Sequence, residues 1–294
     1  MQFDPHQLAA LSEVLRLGSF EAAAGQLSVT PSAISQRIKA LEDRTGAALI
    51  RRGTPCVGTP LGIRLAKHAE DIGLLEAQLS RELSLDGGPA PARLRVAVNA
   101  DSLATWFVAA MEQVPDLLFD LVLDDQDHSA DWLRRGAVSA TVCARDKPVA
   151  GCDMHDLGVL RYVAVASPAF HERWFAQGVT RETLAQAPML TFNAKDALQQ
   201  IWLDTYIGTK LAPPSHFLPS SHAFVDAARA NIGWGMMPFA QIRGHLKHAR
   251  LIPLLPKADI GVTLSWQVNR IMAPALKPVT RAVIDAATKV LHKT

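Results

Sequence analysis

The sequence predicts an α/β protein with an all-helical head, a long connecting helix and a larger α/β body, and three observations carry that expectation. Residues 5–45 hold three closely spaced helical patterns with their own stop signals. Residues 61–85 hold one helix too long for a small domain, and beyond residue 93 short apolar runs alternate with helical ones.

From Pro5 to Leu17, the positions Leu8, Leu11, Val14 and Leu15 recur at helical spacing, and Gly18 ends the run. Ser19 caps a second helix from Phe20 to about Leu27, with Glu21 in the first turn, where the helix dipole favours an acid. Ser28, Val29 and Thr30 lead into a third helix over 31–45. Thr30 is a good N-cap, Pro31 suits the first helical position because its missing N–H costs nothing there, and Gly46 is a natural stop. At about 100° per residue, Ile34, Ile38 and Leu41 form one narrow stripe, while Ser32, Ser35, Gln36 and Lys39 share the opposite side. Glutamine can pair bidentately with adenine, serine contacts base or phosphate, and lysine reaches guanine or phosphate. On this helix alone a solvated face explains the same letters. Two short helices joined by a three-residue turn, the second polar at its N-terminal end, form instead a helix-turn-helix whose second helix enters a major groove. Arg37 lies off both stripes and is expected to touch phosphate.

After Gly46 the chain reads A-A-L-I-R-R-G-T-P-C-V-G-T-P, short apolar runs around a Gly/Pro turn, which predicts a small hairpin. This hairpin serves as a wing whose Arg51 and Arg52 lie along the phosphate backbone, completing a head over 1–58. Thr59 and Pro60 repeat the cap-plus-proline device and open a helix from Leu61 to about Leu85, a linker over 59–85. Leu65, Ile72 and Leu79 keep a seven-residue spacing, interleaved with Leu61, His68 and Leu75. At about 1.5 Å per residue this rod is on the order of 37 Å long, which predicts a dimerisation helix.

The formal charge of +2 says little, but its distribution is informative. Residues 36–67 hold seven Lys/Arg against only Glu42 and Asp43, the footprint of a nucleic-acid surface. The three cysteines, Cys56, Cys143 and Cys152, lack paired spacing, so neither a disulfide framework nor a zinc site is expected. His245 and His248 read as surface residues, and no metal is predicted. No leader peptide or membrane span is expected, which predicts a cytoplasmic protein with no membrane partner.

Asp86 to Arg93 reads as a hinge, rich in glycine and proline. Beyond it strands are predicted at Leu94–Val98, Phe119–Leu123, Val138–Cys143, Tyr162–Ala166, Met189–Phe192, Leu251–Leu254 and Val262–Val268. Helices are predicted at Ser102–Gln113 and Ser129–Arg135, from Pro168, around Lys195–Tyr206, at Ala223–Ala230 and over Pro274–His292. This alternation predicts βαβ units in an open, mostly parallel sheet, arranged as two lobes around a cleft, with the last helix returning to the first half. Gly233-Trp234-Gly235 reads as a turn with close backbone approach. An enzyme finds little support: there is no Gly-rich phosphate loop, no G-x-S-x-G elbow and no nucleophile-base pairing, so no catalytic residue and no cofactor is predicted.

Open α/β sheets bind ligands at the carboxyl ends of their strands. Asn99-Ala100-Asp101-Ser102 follows the first body strand and opens a helix, so Ser102 with the following N–H groups is a candidate seat for a ligand carboxylate. Asp124, Asp125 and Asp127 follow the second strand and would suit a cationic group. A basic amino acid satisfies both ends, and a solvated acidic turn beside a helix cap fits the letters equally well.

The run F-E-A-A-A-G-Q-L-S-V-T-P-S-A-I-S-Q-R-I-K-A-L-E, with the later L-I-R-R and T-P-L-G, resembles the winged helix-turn-helix and linker helix of LysR-type transcriptional regulators over residues 4–85. Leu49-Ile50-Arg51 departs conservatively from the Leu-Phe-x-Arg of many relatives. The resemblance implies a periplasmic-binding-protein-like effector domain over 94–294. Its lobes would be residues 94–163 with 268–294, and 164–267, crossing over near Ala164 and Val268. It also implies operator DNA, RNA polymerase and further copies of the chain as partners, with dimers pairing into a tetramer. N-A-D-S-L-A-T-W-F at 99–107, L-R-R-G at 133–136 and P-V-A-G-C at 148–152 are similar to the ArgP and LysG group, which senses lysine or arginine and switches on a basic amino-acid exporter. That likeness favours Asp101, Ser102, Asp124, Asp125 and Asp127 as contacts to L-lysine or L-arginine, and adds Arg145 as a second partner for the ligand carboxylate. Two rivals remain: the same architecture with another small effector, or a solute-binding or catalytic α/β protein with an appended DNA module.

Overall fold

The computed structural model describes residues 3–83, 91–123, 129–144, 147–208 and 210–293, apart from the side chains of Ser129 and Ala130. The head is built as its caps dictate. Helix α1 (Pro5–Leu17) starts where the Asp4 carboxylate accepts the N–H groups of His6 and Gln7 at 2.8 and 3.0 Å, and stops at Gly18 with φ +66°. Helix α2 (Phe20–Gln26) is capped by Ser19, and α3 (Pro31–Thr45) by Thr30, whose hydroxyl accepts the Ala33 N–H at 3.2 Å; Gly46 ends α3 with φ +68°. Strands β1 (Ile50–Arg51) and β2 (Val57–Gly58) form the antiparallel wing, and α4 (Pro60–Glu82) follows. Ile34, Ile38 and Leu41 are fully or almost fully buried against Leu8, Leu11 and Val14, so the apolar stripe of α3 has its core. The Glu42 carboxylate accepts the Leu49 N–H at 2.8 Å and ties the wing to α3.

The stripe of α4 divides between two cores. Leu65 and Ala66 close the head, and Leu74 enters the core of the body. The predicted heptad row is therefore split: Leu65 is buried at the head, whereas Leu79, and Leu75 of the interleaved set, are exposed at 54% and 42%; Leu83, at the C-cap, is exposed at 58%.

In the body, strand β3 (Ala92–Val98) leads into α5 (Ala100–Ser102), a π-helical segment Leu103–Phe107 and α6 (Val108–Glu112), one nearly continuous helix. Strand β4 (Leu117–Leu123), α7 (Ser129–Arg134), β5 (Ala140–Cys143) and the long β6 (Cys152–Ala166) follow. The second half contributes α8 (Pro168–Phe175), α9 (Arg181–Gln186), β7 (Met189–Thr191), α10 (Leu198–Tyr206), β8 (Ser215–Phe217) and α11 (Ser221–Arg229). It continues through β9 (Gly235–Pro238), α12 (Phe239–Lys247), β10 (Ile252–Pro253), β11 (Asp259–Asn269) and α13 (Lys277–Ala287).

The main sheet runs β10-β6-β11-β5-β3-β4, with β9 also on β6. Only β3–β4 and β3–β5 are parallel, and every pairing that involves β6 or β11 is antiparallel. The expected mostly parallel sheet is thus corrected to a mixed one. The reason is β6, whose residues 152–161 alternate with Asp and His and carry no apolar run, so their pairing with β11 was invisible until the sheet formed. Gly158, at φ +112°, lies opposite the register shift between Leu264 and Ser265, where a Cβ would meet the His292 carbonyl at 2.5 Å. As expected, the last helix returns to the first half: α13 packs on α6, and His292 exchanges backbone hydrogen bonds with Val159 at 2.8 and 3.0 Å. Gly233 and Gly235 do permit close approach, against Leu190 and Phe224, although Gly235 opens a strand.

Candidate DNA interface and effector cleft

On the head, Ser32, Gln36 and Lys39 are exposed, Ser35 and Arg37 are half-buried, and Arg51 and Arg52 are exposed on the wing. A groove joins the start of α3 to the wing and brings Ser32, Ser35 and Arg52 together with Phe20 and Thr54. The Arg52 guanidinium lies 5.4 Å from the Phe20 ring centroid, a cation–π contact that holds its charge beside the N-terminus of α3. Gln36 and Lys39 continue the same face one turn on. Arg37, Lys39, Arg51 and Arg52 have no acidic partner among the described residues, so their charge is available to phosphate. Lys67 does not join them: it is buried and paired with Asp71, which removes one cation from the expected basic run. Glu21 at the groove wall is held below the usual carboxylate range by its own backbone N–H and the Ser19 hydroxyl.

The body has a cleft of about 710 Å³, its open mouth included, between the start of α5 and the second half of the chain. Asp101 lines it. One carboxylate oxygen accepts from the Tyr162 hydroxyl at 2.7 Å and the other from the Ser221 hydroxyl at 2.6 Å, so Asp101 links β6 and α11 to the first strand's end. Across the cleft Asp196 is held by the N–H groups of Phe192 and Leu198 at 2.9 and 3.1 Å. Phe192, Phe224, Met236 and Met237 supply apolar lining, and the buried amide oxygens of Asn99 and Gln241 have no hydrogen-bond partner among the described residues. The described lining contains two carboxylates and no Lys, Arg or His.

Of the residues singled out for the effector, Asp101 is in the cleft. Ser102 is corrected: the helix begins at Ala100 after Asn99, two residues earlier than expected, so Ser102 sits in the first turn, is fully buried and does not line the cleft. Asp124, Asp125, Asp127 and Arg145 lie outside the described residues. Asp196, Ser221, Tyr162 and Gln241 were missed. Asp196 and Ser221 carry only the signal of residues at helix starts, which capping alone explains, and the contact of Ser221 with Asp101 and the place of Asp196 in the same cleft need the tertiary fold.

Residues 5–63 match the family described as bacterial regulatory helix-turn-helix protein, lysR family, and residues 87–289 match the LysR substrate binding domain. The chain belongs to the LysR family of transcriptional regulators. As a member of this family it is a transcriptional regulator with a helix-turn-helix head of the DNA-binding kind, and it is not an enzyme. It is 40% identical over 287 residues to the HTH-type transcriptional regulator LysG of Mycobacterium tuberculosis, covering 98% of this chain and 94% of that one. The crystal structure of ArgP from the same organism aligns with a TM-score of 0.79 at 39% identity and covers both chains fully. The lysine export transcriptional regulatory protein LysG of Corynebacterium glutamicum is 36% identical over 293 residues, 98% of this chain and 99% of that one. A full-length structure of LysG from Corynebacterium glutamicum with bound effector Arg aligns with a TM-score of 0.67 at 35% identity, covering 99% and 100% of the two chains. No helix among the described residues of this LysR-type regulator is long and apolar enough to cross a membrane.

Proposed function

We propose that this regulator works in the cytoplasm, responds to a basic amino acid, L-lysine or L-arginine, and controls a gene for basic amino-acid export. The observation that carries this reading is the pair of carboxylates, Asp101 and Asp196, on the walls of a cleft whose described lining holds no cation. A cationic group beside them replaces lost hydration with charge-assisted hydrogen bonds, whereas an anionic ligand would be repelled by both carboxylates. The relative solved with bound Arg, and the one named for lysine export, support the same choice. On the division into lobes 94–163 with 268–294 and 164–267, Asp101 belongs to the first and its hydrogen-bond partner Ser221 to the second. An effector that engages Asp101 favours one arrangement of the lobes. Through α4 it would bias the oligomer, a dimer of dimers, between two placements of its heads on DNA. Ser32, Ser35, Gln36 and Lys39 read the operator, Arg37, Arg51 and Arg52 hold phosphate, and RNA polymerase is the downstream partner.

Thermal unfolding of the full chain with arginine, lysine, citrulline and norleucine tests the effector. Ligand at about a hundredfold over its Kd adds about 2.7 kcal/mol, or roughly 5–10 °C at this size. Lysine or arginine should give that rise, and their uncharged isosteres should not. Equal stabilisation by citrulline and arginine, or none by either basic amino acid, would sink the proposal. Asp196→Asn should weaken calorimetric binding of the basic amino acid about tenfold or more and leave effector-free operator affinity unchanged.

A further inference from the structure

Helix α4 belongs to two hydrophobic cores at once, and the stretch between them is polar. Lys67, only 8% exposed, pairs with Asp71, and the Ser139 hydroxyl approaches the same carboxylate at 3.4 Å. Facing them, Arg95 of β3 pairs with Asp120 of β4 at 3.3 Å, in register across the two strands. Glu70 stands among these four charges. Its Oε2 is shut off from solvent and has no hydrogen-bond partner among the described residues; Lys67 is turned to Asp71, and Arg95, whose buried Nε likewise has no hydrogen-bond partner, is turned as an ion pair to Asp120. One turn further on, Leu74 is 2% exposed in the core of the body, so a change at Glu70 acts directly on the docking of the effector domain.

We propose that this seam of Glu70, Lys67 and Asp71 against Arg95 and Asp120 is a protonation latch that docks the effector domain on the linker helix when Glu70 is neutral. Burial pushes the Glu70 carboxyl up to about 7; Lys67 and Arg95 pull against the rise, while Asp120 and Asp71 add to it. Docking raises this pKa above its ordinary value of 4.5, so the stabilisation is complete below the ordinary value and is lost as pH rises through about 7. Between about pH 6 and pH 8 the docking constant should therefore fall about tenfold. The latch would set how firmly any effector-domain motion is passed to the reading head, and it does not depend on which effector fills the cleft.

Hydrogen exchange of the full chain, corrected for intrinsic rates, reads the seam through the amides of 92–98, with those of 198–206 as a distant control. The opening constant at 92–98 should rise about tenfold from about pH 6 to pH 8, without a matching rise in the control. Glu70→Gln should hold it at its low-pH value throughout. Asp120→Asn, which removes a like charge facing Glu70, should move the midpoint to lower pH. A native chain with no rise, a rise shared equally by the control, or the same rise in Glu70→Gln overturns the proposal. Should Glu70→Gln fail to fold, an unmoved midpoint in Asp120→Asn does so.

Discussion

Gln36 and Arg37 are neighbours on α3, yet the helix turns them to different tasks. Gln36 is exposed on the face that continues from Ser32 and Ser35, while Arg37 is half-buried to one side with its charge unpaired. Gln36→Ala should lose about 1–3 kcal/mol at the specific operator only. Arg37→Ala should weaken every DNA sequence alike and flatten the salt dependence by about one unit in log–log slope. Fluorescence anisotropy on operator and scrambled duplexes at several salt concentrations separates the two, and exchanged patterns would mean the reading face is rotated. These positions were legible before any fold, because helical spacing alone sorts α3 into buried and exposed sides. The cleft was legible only in part. Asp101 follows a strand and could be found by that rule, but Asp196 lies 95 positions further along the chain and looks like an ordinary helix-start acid. Ser102 went the other way, since a two-residue error in a helix start turns an apparent surface hydroxyl into a buried one.

At the scale of elements, the joint between wing and linker depends on a very close approach of backbone to backbone. Thr59 donates its N–H to the Leu49 carbonyl at 2.9 Å, and α4 then passes so close that a Cβ on Gly62 would lie 2.0 Å from that oxygen. Gly62→Ala must therefore push α4 off the wing, even though alanine is the better helix former. We expect a loss of roughly 1–3 kcal/mol in chemical denaturation of the head, against the few tenths to 1 kcal/mol gain that helix propensity alone would give. Gly73, with nothing near its Cβ position, is the control: Gly73→Ala should be neutral or stabilising. The strands that sequence reading overlooked share one property. The first ten residues of β6, the four of β9 and the three of β8 are polar-interrupted or too short to show alternation, so partner strands hold them rather than their own pattern.

For the whole molecule, the exposed row Leu75, Leu79 and Leu83 on the distal half of α4 is the apolar surface that an oligomer would cover. It lies about one and a half to three and a half turns beyond Glu70, so self-association and effector-domain docking draw on the same helix. Leu79→Asp should shift sedimentation toward the monomer and lower operator affinity through lost avidity, while a single head keeps its fold. An unchanged sedimentation profile would place the dimer contact elsewhere.

What the sequence determined by itself is whatever local chemistry specifies: caps, stops and a 3.6-residue period define α1 to α4, and the wing follows from its glycines and prolines. The same logic yields the α/β class of the body and the polar face of α3 proposed to meet DNA. Tertiary structure alone decided the mixed sheet, the division of α4 between two cores, the meeting of Asp101 with Ser221 and Tyr162, and the placing of Asp196 in the same cleft. Those depend on strand pairings and packings between residues up to about a hundred or more positions apart, where many arrangements satisfy the local preferences and only the sum of long-range burial and hydrogen bonding selects one.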